Sequence, residues 1–390
     1  MKKLFTMALT GLMAVSMVAC SGGSSEKPAE GGEKPAEGGE AAAERIAMIT
    51  DYGDITDQSF NQTTYEASKA FCEANGLDFT YFKPAGDSTA ERVAMIDKAV
   101  ADGYTTLVMP GYAFAEAIAQ TVEMYPDVKY IALDVSEFDL TKAGLSAIPE
   151  NLFSAVYQEE IPGYFAGQAA VKLGYEKLGF LGGMAVPAVI RYGYGFVQGA
   201  NDAAAELGKT VDINYVYGNA FAGDPDITAV MDTWYGNGTE VVFACGGGIF
   251  TSAVDAAKKV GGKVIGVDVD QAGVIANYLE TPDDKSMTVT SAMKGLAATV
   301  NTLLASVKDG TFTSEFGGKI ENLGLVSGDD LSLNYVGLPD STQWADGFTQ
   351  DDYKKLVNDV FSGTIKVSND TENQPAVTNA NVTYQADIKG

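Results

Sequence analysis

From residue 45 onward, this chain alternates short, mostly apolar segments with longer amphipathic ones. Several short segments are apolar at every position, as in Ile46-Ala-Met-Ile49, which is typical of strands buried on both faces of a parallel sheet. The predicted strands are 46–50, 78–83, 105–109, 129–134, 178–182, 213–217, 240–244, 263–268 and 287–291. The predicted helices between them include 63–75, 89–102, 153–173, 195–207 and 250–260. Strand followed by helix, repeated in this way, predicts an α/β fold with doubly wound parallel sheets and right-handed crossovers.

Polar, aromatic or glycine residues follow most of the predicted strands directly. In doubly wound sheets, ligands bind outside the carboxyl ends of the strands, so these residues are the candidates for a binding site. The candidate ligand-binding residues are Asp51, Phe60, Asn61, Asp134, Phe221, Gly246, Gly247, Asp268, Asp270 and Lys294.

Residues 1–19 have the features of a signal peptide, because two lysines precede an apolar stretch too short to span a bilayer as a stable helix. Small residues precede Cys20 and flexible ones follow it, and this pattern resembles the lipobox of bacterial lipoproteins. The resemblance implies that Cys20 is lipidated and anchors the protein at the extracytoplasmic face of the cell membrane. An ordinary cleaved signal with a chance cysteine is the alternative interpretation.

Residues 20–44 are predicted to be a disordered tether. Glu26-Lys-Pro-Ala-Glu-Gly-Gly32 is repeated as residues 33–39, and such a composition has too few apolar side chains to form a core. The remaining cysteines, Cys72 and Cys245, lie in apolar surroundings and are predicted to be buried free thiols.

The charge and the residue content of the chain argue against several classes of function. The chain has 26 Lys and Arg against 52 Asp and Glu, a formal charge of −26, which disfavours binding to nucleic acid. It contains no histidine, which excludes Ser-His-Asp and Cys-His nucleophiles and imidazole zinc sites. The pair Asp268 and Asp270 lacks the further ligands of a calcium loop, so no metal is predicted.

Several segments together resemble the basic membrane protein family of lipoproteins, which includes the purine nucleoside receptors. The resemblance rests on Asp51, Asp57-Gln-Ser-Phe-Asn-Gln62, Glu159-Glu160 with Gly163-Tyr-Phe-Ala-Gly167, Ile265-Gly-Val-Asp-Val-Asp-Gln271, and Lys294. It implies a type I periplasmic-binding-protein fold, in which two Rossmann-like lobes joined by three crossover strands close on a ligand. It also implies partnership with an ABC permease and ATPase, capture of a nucleoside, and neither a cofactor nor a catalytic residue.

The resemblance implies roles for the candidate residues. Asp51 and Asn61 would meet the edge of a base, while Asp268, Lys294 and the backbone near Gly246 and Gly247 would hold the ribose. Phe60 and Phe221 would stack on the two faces of the base. Glu159 and Glu160 would be structural or face the permease.

Each of these roles has a structural alternative. Phe60 could belong to the core. If Phe221 does not contact the ligand, Tyr112, Phe114, Met184 and Phe196 are its substitutes. Asp57 and Ser59 are interpreted as helix-capping residues. Arg191 could contact an anionic ligand or cap a helix.

At 390 residues, the chain exceeds the size at which a single core usually splits. The type I pattern implies one lobe of 45–147 plus 273–325 and another of 148–272 plus 326–390, with a crossover strand at 331–336. Two other functions stay open: the same fold binding another small polar molecule, such as a sugar-like signal or a vitamin, and a surface sensor or adhesin. An enzyme is the weakest class.

Overall fold

The structure is a computed structural model that describes residues 44–390. The signal peptide, Cys20 and nearly all of the tether therefore lie outside the described residues. In the described part, the strands are β1 Arg45–Ile49, β2 Asp78–Phe82, β3 Thr106–Pro110, β4 Lys129–Leu133, β5 Leu152–Tyr157, β6 Lys177–Gly182, β7 Val211–Tyr217, β8 Val241–Cys245, β9 Lys263–Asp268, β10 Thr288–Lys294, β11 Lys319–Leu323, β12 Val336–Gly337 and β13 Ala380–Tyr384. The helices there are α1 Phe60–Asn75, α2 Thr89–Ala101, α3 Ala115–Thr121, α4 Glu137–Lys142, α5 Glu160–Lys172, α6 Pro187–Glu206, α7 Pro225–Gly236, α8 Phe250–Ala257, α9 Ala272–Tyr278, α10 Leu296–Lys308, α11 Phe312–Glu315 and α12 Gln350–Phe361.

The strands form two sheets with the same internal order. The first sheet runs β11-β5-β4-β3-β1-β2, and the second runs β12-β10-β9-β8-β6-β7-β13. All pairs are parallel except the short antiparallel pair of β10 and β12. The chain passes between the sheets three times, after β5, after β10 and after β11. The predicted fold class, with two doubly wound α/β halves, is confirmed.

Strand pairing corrects the expected lobe bounds in two places. β5 pairs with β4 and β11 in the first sheet, although residues from 148 were assigned to the second lobe. β10 pairs with β9 in the second sheet, although residues from 273 were assigned to the first lobe. The reason is that each sheet takes one more parallel strand before the chain crosses over. We call each sheet with its attached helices the first or second lobe.

Two local predictions are also corrected. The first part of the predicted helix 153–173 is strand β5, because its apolar residues pair with neighbouring strands before α5 begins at Glu160. The predicted crossover strand 331–336 is a 3₁₀ turn at Leu331–Leu333, followed only by the two-residue strand β12. In contrast, the prediction that Cys72 and Cys245 are buried free thiols is confirmed.

Helices α5 and α6 pack against each other through glycines. A Cβ atom on Gly163 or Gly167 of α5 would overlap carbonyl oxygens of α6, at Tyr192 and Phe196 respectively. Likewise, a Cβ atom on Gly199 of α6 would overlap the Tyr164 carbonyl oxygen of α5. The backbones therefore approach as closely as glycine allows, and this contact holds the start of α6, which lines the cavity described below.

No helix within residues 44–390 is both long enough and apolar enough to cross a membrane.

Candidate functional site

A cavity of about 520 Å³ lies between the carboxyl ends of the two sheets. Its size is within the range of small-molecule sites. It is lined by all of the predicted ligand-binding residues except Asp270, namely Asp51, Phe60, Asn61, Asp134, Phe221, Gly246, Gly247, Asp268 and Lys294. The Asp270 carboxylate instead accepts hydrogen bonds from the Ala272 amide at 3.1 Å and the Ser341 hydroxyl at 2.8 Å. Its role is therefore local, at the start of α9.

Lys294, the last residue of β10, lies at the floor of the cavity and is only 6% exposed. Its ammonium is 2.6 Å from an Asp134 oxygen, 3.4 Å from a Glu159 oxygen and 3.7 Å from an Asp268 oxygen. Glu159 also accepts a hydrogen bond from Arg191 at 2.7 Å. One buried ammonium is thus shared by carboxylates from both lobes.

The environment of this ion cluster shifts two pKa values. Burial raises the pKa of Asp134 to about 6, although the ammonium of Lys294 acts in the opposite direction. Burial alone would lower the pKa of Lys294, but the three surrounding carboxylates raise it above its ordinary value. Lys294 is therefore charged at neutral pH, and Asp134 takes up a proton more readily than an ordinary aspartate does.

Asp134 and Asp268 occupy matched positions in the two lobes, directly after or at the end of β4 and β9. Both have left-handed backbones, with φ of 62° and 64°. Such strain is uncommon outside glycine and tends to persist where function requires it. The conformation places both carboxylates beside Lys294, and one oxygen of Asp134, Oδ1, is buried without a hydrogen-bond partner among the described residues.

Ser59 has a different role from the predicted one. It precedes α1, but its side chain caps no helix N–H; its hydroxyl donates a 2.7 Å hydrogen bond to Asp268 across the cavity. Asp57 does act as predicted, since its carboxylate accepts hydrogen bonds from the amides of Ser59, Asn61 and Gln62. The first turn of α1 is therefore fixed by Asp57, while Ser59 links the two lobes.

On the first-lobe side, Asp51 and Asn61 provide buried polar groups. One Asp51 oxygen accepts hydrogen bonds from the amides of Tyr52 and Gly53, each at 2.7 Å, and burial raises the pKa of this carboxyl group. Asn61 donates to Asp57 at 3.2 Å, but its carbonyl oxygen Oδ1 has no partner among the described residues. This oxygen is an acceptor available to a ligand donor.

Aromatic rings approach the cavity from both lobes. Phe60, at the start of α1, places its ring centroid 4.6 Å from the Lys294 ammonium. Phe221 of the second lobe lies 6.4 Å from the ring of Tyr52, whose hydroxyl contacts the Met184 sulfur at 3.3 Å. The sequence interpretation missed Tyr52, because nothing local distinguishes it from other loop tyrosines.

Glycines form the surface against which Phe221 packs. A Cβ atom on Gly246 would lie 2.9 Å from a Phe221 ring carbon, and one on Gly183 would overlap the ring. The backbone φ of Gly246 is 151°, which also requires glycine. Gly183 and Gly246 therefore leave the space in which the Phe221 ring lies. This role is additional to the ligand contact predicted for Gly246 and Gly247.

The remaining candidates are placed as follows. Arg191 lines the cavity but pairs with Glu159, which is fully buried. Tyr112 lines the cavity, whereas Phe114 and Phe196 belong to the hydrophobic core. No group of three or more acidic or thiol side chains within residues 44–390 is arranged to hold a metal ion.

Glu160 gives a prediction about pH. Burial raises the pKa of Glu160 from its ordinary 4.5 to about 7, with the neighbouring Glu159 acting in the same direction and Arg191 against it. Between pH 4.5 and pH 7, the Glu160 carboxyl group is therefore protonated in the folded protein but ionised in the unfolded chain. Because the folded state binds the extra proton, this group makes the free energy of unfolding rise as pH falls from about 8 to about 5. We expect Glu160→Gln to remove roughly 2 kcal/mol of that rise in urea titrations. The exposed control Glu372→Gln leaves the profile unchanged, and an equal profile for both variants would contradict the assignment.

Residues 43–369 match the Bmp family, described as ABC transporter substrate-binding protein PnrA-like. The ABC transporter nucleoside-binding protein BmpA of Lactococcus lactis is 27% identical over 337 residues, covering 83% of this chain and 88% of that protein. Basic membrane protein B of Borreliella burgdorferi is 27% identical, covering 77% and 82%.

Among solved structures, a solute-binding protein of an ABC transporter system from Aeropyrum pernix aligns with a TM-score of 0.63. It is 22% identical, and the alignment covers 83% of this chain and 87% of that one. A corresponding protein from Conexibacter woesei aligns with a TM-score of 0.62 at 23% identity, covering 84% and 99%. The shared architecture is the type I periplasmic-binding-protein fold.

Proposed function

Because this chain belongs to the PnrA-like family of ABC transporter substrate-binding proteins, we propose that it captures a nucleoside, of the purine class, in the cavity between its lobes and delivers it to a membrane permease. The observation that carries this proposal is the combination of aromatic rings from both lobes with buried, partly unpaired polar groups in one cavity. A relative of similar length is named a nucleoside-binding protein, which supports the same ligand class.

The aromatic rings support a flat ligand. Phe221 and Tyr52 lie with centroids 6.4 Å apart and planes tilted by 34°. A base inserted between two rings needs about 7 Å, since each stacking contact takes about 3.5 Å. A small separation of the lobes therefore admits a base beside Phe221, with Tyr52 and Phe60 on the opposite side.

The polar groups support a neutral ligand with several hydroxyl or N–H donors. The unpaired oxygens of Asn61 and Asp134 are acceptors, and the carboxylate of Asp268 lies on the same wall as Lys294. Neighbouring hydroxyls of a ribose would satisfy such acceptors, and a ligand that lacks them would leave them buried and unpaired. An anion would meet a net negative cluster, because the ammonium of Lys294 is already shared by three carboxylates.

Delivery to a permease requires that the two lobes move relative to one another and that the protein stays near the membrane. The three chain passages between the sheets are the natural hinge, and the bonds of Ser59 to Asp268 and of the Gln271 amide to the Gln58 carbonyl oxygen cross the cleft. Lipidation at Cys20 would hold the protein at the extracytoplasmic face, with residues 20–44 providing reach. No chemical step is part of this proposal.

Calorimetric titration of refolded, ligand-stripped protein tests the ligand class. We expect purine nucleosides to bind at about 100 µM or tighter, and free ribose and free bases to bind more weakly. Replacing Phe221 by alanine is expected to weaken nucleoside binding by about ten- to a hundredfold, the usual cost of a lost base stack. The matched control is Phe361→Ala, an exposed aromatic on α12. Binding of a sugar or vitamin with no binding of any nucleoside contradicts the proposal.

A further inference from the structure

Residues 378–390, which we call the strap, cross the outer edge of the second lobe. Their strand β13 pairs in parallel with β7 over five residues, from Ala380 opposite Val211 to Tyr384 opposite Tyr215. Among the described residues, the first sheet, which otherwise has the same strand order, has no equivalent of β13. The strap also lies beyond residue 369, where the family match ends. It therefore lies outside the part of the chain that matches the family model.

The end of the strap contacts the loop that follows β7, residues 218–224. The Ile388 amide donates to the Tyr217 carbonyl oxygen at 2.9 Å, and the Asn219 side chain donates to the Lys389 carbonyl oxygen at 2.5 Å. The Lys389 ammonium forms an ion pair with Asp224, the residue that caps α7. The side chain of Ile388 packs on the same apolar cluster as Ala220. The strap thus holds both ends of this loop.

The same loop carries Phe221 into the cavity. On its inner side, the loop is fixed by backbone hydrogen bonds, from the Gly218 amide to Gly182, from the Gly223 amide to Gly248, and from the Gly248 amide to Phe221. On its outer side, Asn219 and Asp224 contact the strap, and Asp224 also exchanges hydrogen bonds with Ser252 and Thr228. Asn219 itself has a left-handed backbone, with φ of 53°, a conformation that asparagine adopts more readily than most other residues.

We infer that the last residues of the strap, Ile388 and Lys389, are positioning residues for ligand binding that act through Phe221. They touch no part of the cavity; they keep the loop in the conformation that presents the Phe221 ring to the ligand. The inference rests on the proposed function for its affinity readout, but the restraint of the loop can be measured without any ligand.

Deleting residues 388–390 is the direct test. We expect the affinity for a purine nucleoside to fall by about five- to tenfold, the size of a coupling between contacting groups. Hydrogen exchange in the ligand-free protein is expected to be about tenfold faster at the amides of Gly223 and Gly248, while amides of β6 and β8 keep their protection. Unchanged exchange at Gly223 and Gly248 overturns the inference, whatever the ligand proves to be. If the wild type binds no nucleoside but the exchange changes as expected, the proposed function fails and the restraint of the loop stands.

A double-mutant cycle separates positioning from general stability. In the Phe221→Ala background, the deletion is expected to cause no further loss of affinity, because the ring through which it acts is gone. Simple addition of the two effects overturns the inference. Lys389→Met is expected to reproduce part of the loss and Lys389→Arg to restore binding, whereas Lys366→Met, an exposed lysine upstream of the strap, has no effect. These point variants keep β13 intact, so they remain informative if the deletion impairs folding.

Discussion

Replacing Lys294 by methionine is expected to abolish measurable ligand binding and to lower the free energy of unfolding by about 3–5 kcal/mol, the cost of breaking a buried ion pair from one side. The variant removes the single ammonium shared by Asp134, Glu159 and Asp268, which then repel one another in a buried site. Urea unfolding at pH 7 measures the loss of stability, and calorimetric titration measures the loss of binding.

The pH dependence of this variant identifies the cause as electrostatic. Asp134 has a pKa of about 6 in the wild type, above its ordinary 3.8, and it is expected to rise further without the ammonium. For an acid whose pKa is raised on folding, the folded state binds the extra proton, so stability increases as pH falls. We therefore expect the deficit of Lys294→Met to shrink between pH 7 and pH 5, and Asp134→Asn in the same background to recover part of it.

Lys259→Met is the matched control for this prediction. Lys259 also pairs with a carboxylate, Asp232, at 2.7 Å, but its side chain is 52% exposed and does not line the cavity. An exposed pair contributes about 0–1 kcal/mol, so this variant is expected to bind and unfold nearly as the wild type does. Equal stability of the two variants would show that the buried cluster is not held together by Lys294.

Replacing Gly199 by alanine is expected to destabilise the fold by about 3 kcal/mol, although alanine normally favours a helix. The new methyl group would overlap the Tyr164 carbonyl oxygen, and the backbone of α5 cannot yield without moving away from α6. Because both helices pack on the second sheet, separation would also disturb Arg191 and Tyr192 at the cavity. Urea unfolding and calorimetric titration measure the two effects.

Gly236→Ala provides a control of opposite sign. Gly236 is the last residue of α7, and a Cβ atom there would meet nothing within 4 Å. The same substitution at this position is expected to stabilise the protein by about 0.5–1 kcal/mol, because it reduces the freedom of the unfolded chain. If Gly236→Ala lowers the free energy of unfolding as much as Gly199→Ala does, the effect comes from replacing glycine in general and not from the contact between α5 and α6.

The sequence predicted the strands of both sheet centres because those strands are apolar at nearly every position. It failed at β5, where only Gln158 and Glu159, neither of them a glycine or proline, separate the strand from α5. A short apolar segment that continues into a buried helix has no period that identifies it as a strand. The lobe bound at residue 148 was misplaced for the same reason.

Candidate site residues were predictable from sequence where they lie at or directly after the end of a strand, as do Asp51, Asp134 and Asp268. Contacts between distant parts of the chain were not predictable. Ser59 donates to a carboxylate 209 residues away, and local sequence supports only a capping role for it. Tyr52 became a site residue only through its neighbours Phe221 and Met184 in the other lobe. Asp270, in contrast, shares the local signals of Asp268, but the turn into α9 directs it elsewhere.

Strand β13 has a consequence for the solubility of the second lobe. Without it, the seven-residue strand β7, with Val211, Ile213 and Tyr215 buried, would be the outer strand and would offer a long row of free backbone groups to another chain. The outer position is taken instead by five residues that carry exposed Asn381 and Thr383. A short, polar outermost strand is a poor template for pairing between copies. β13 therefore disfavours edge-to-edge aggregation between copies of this protein.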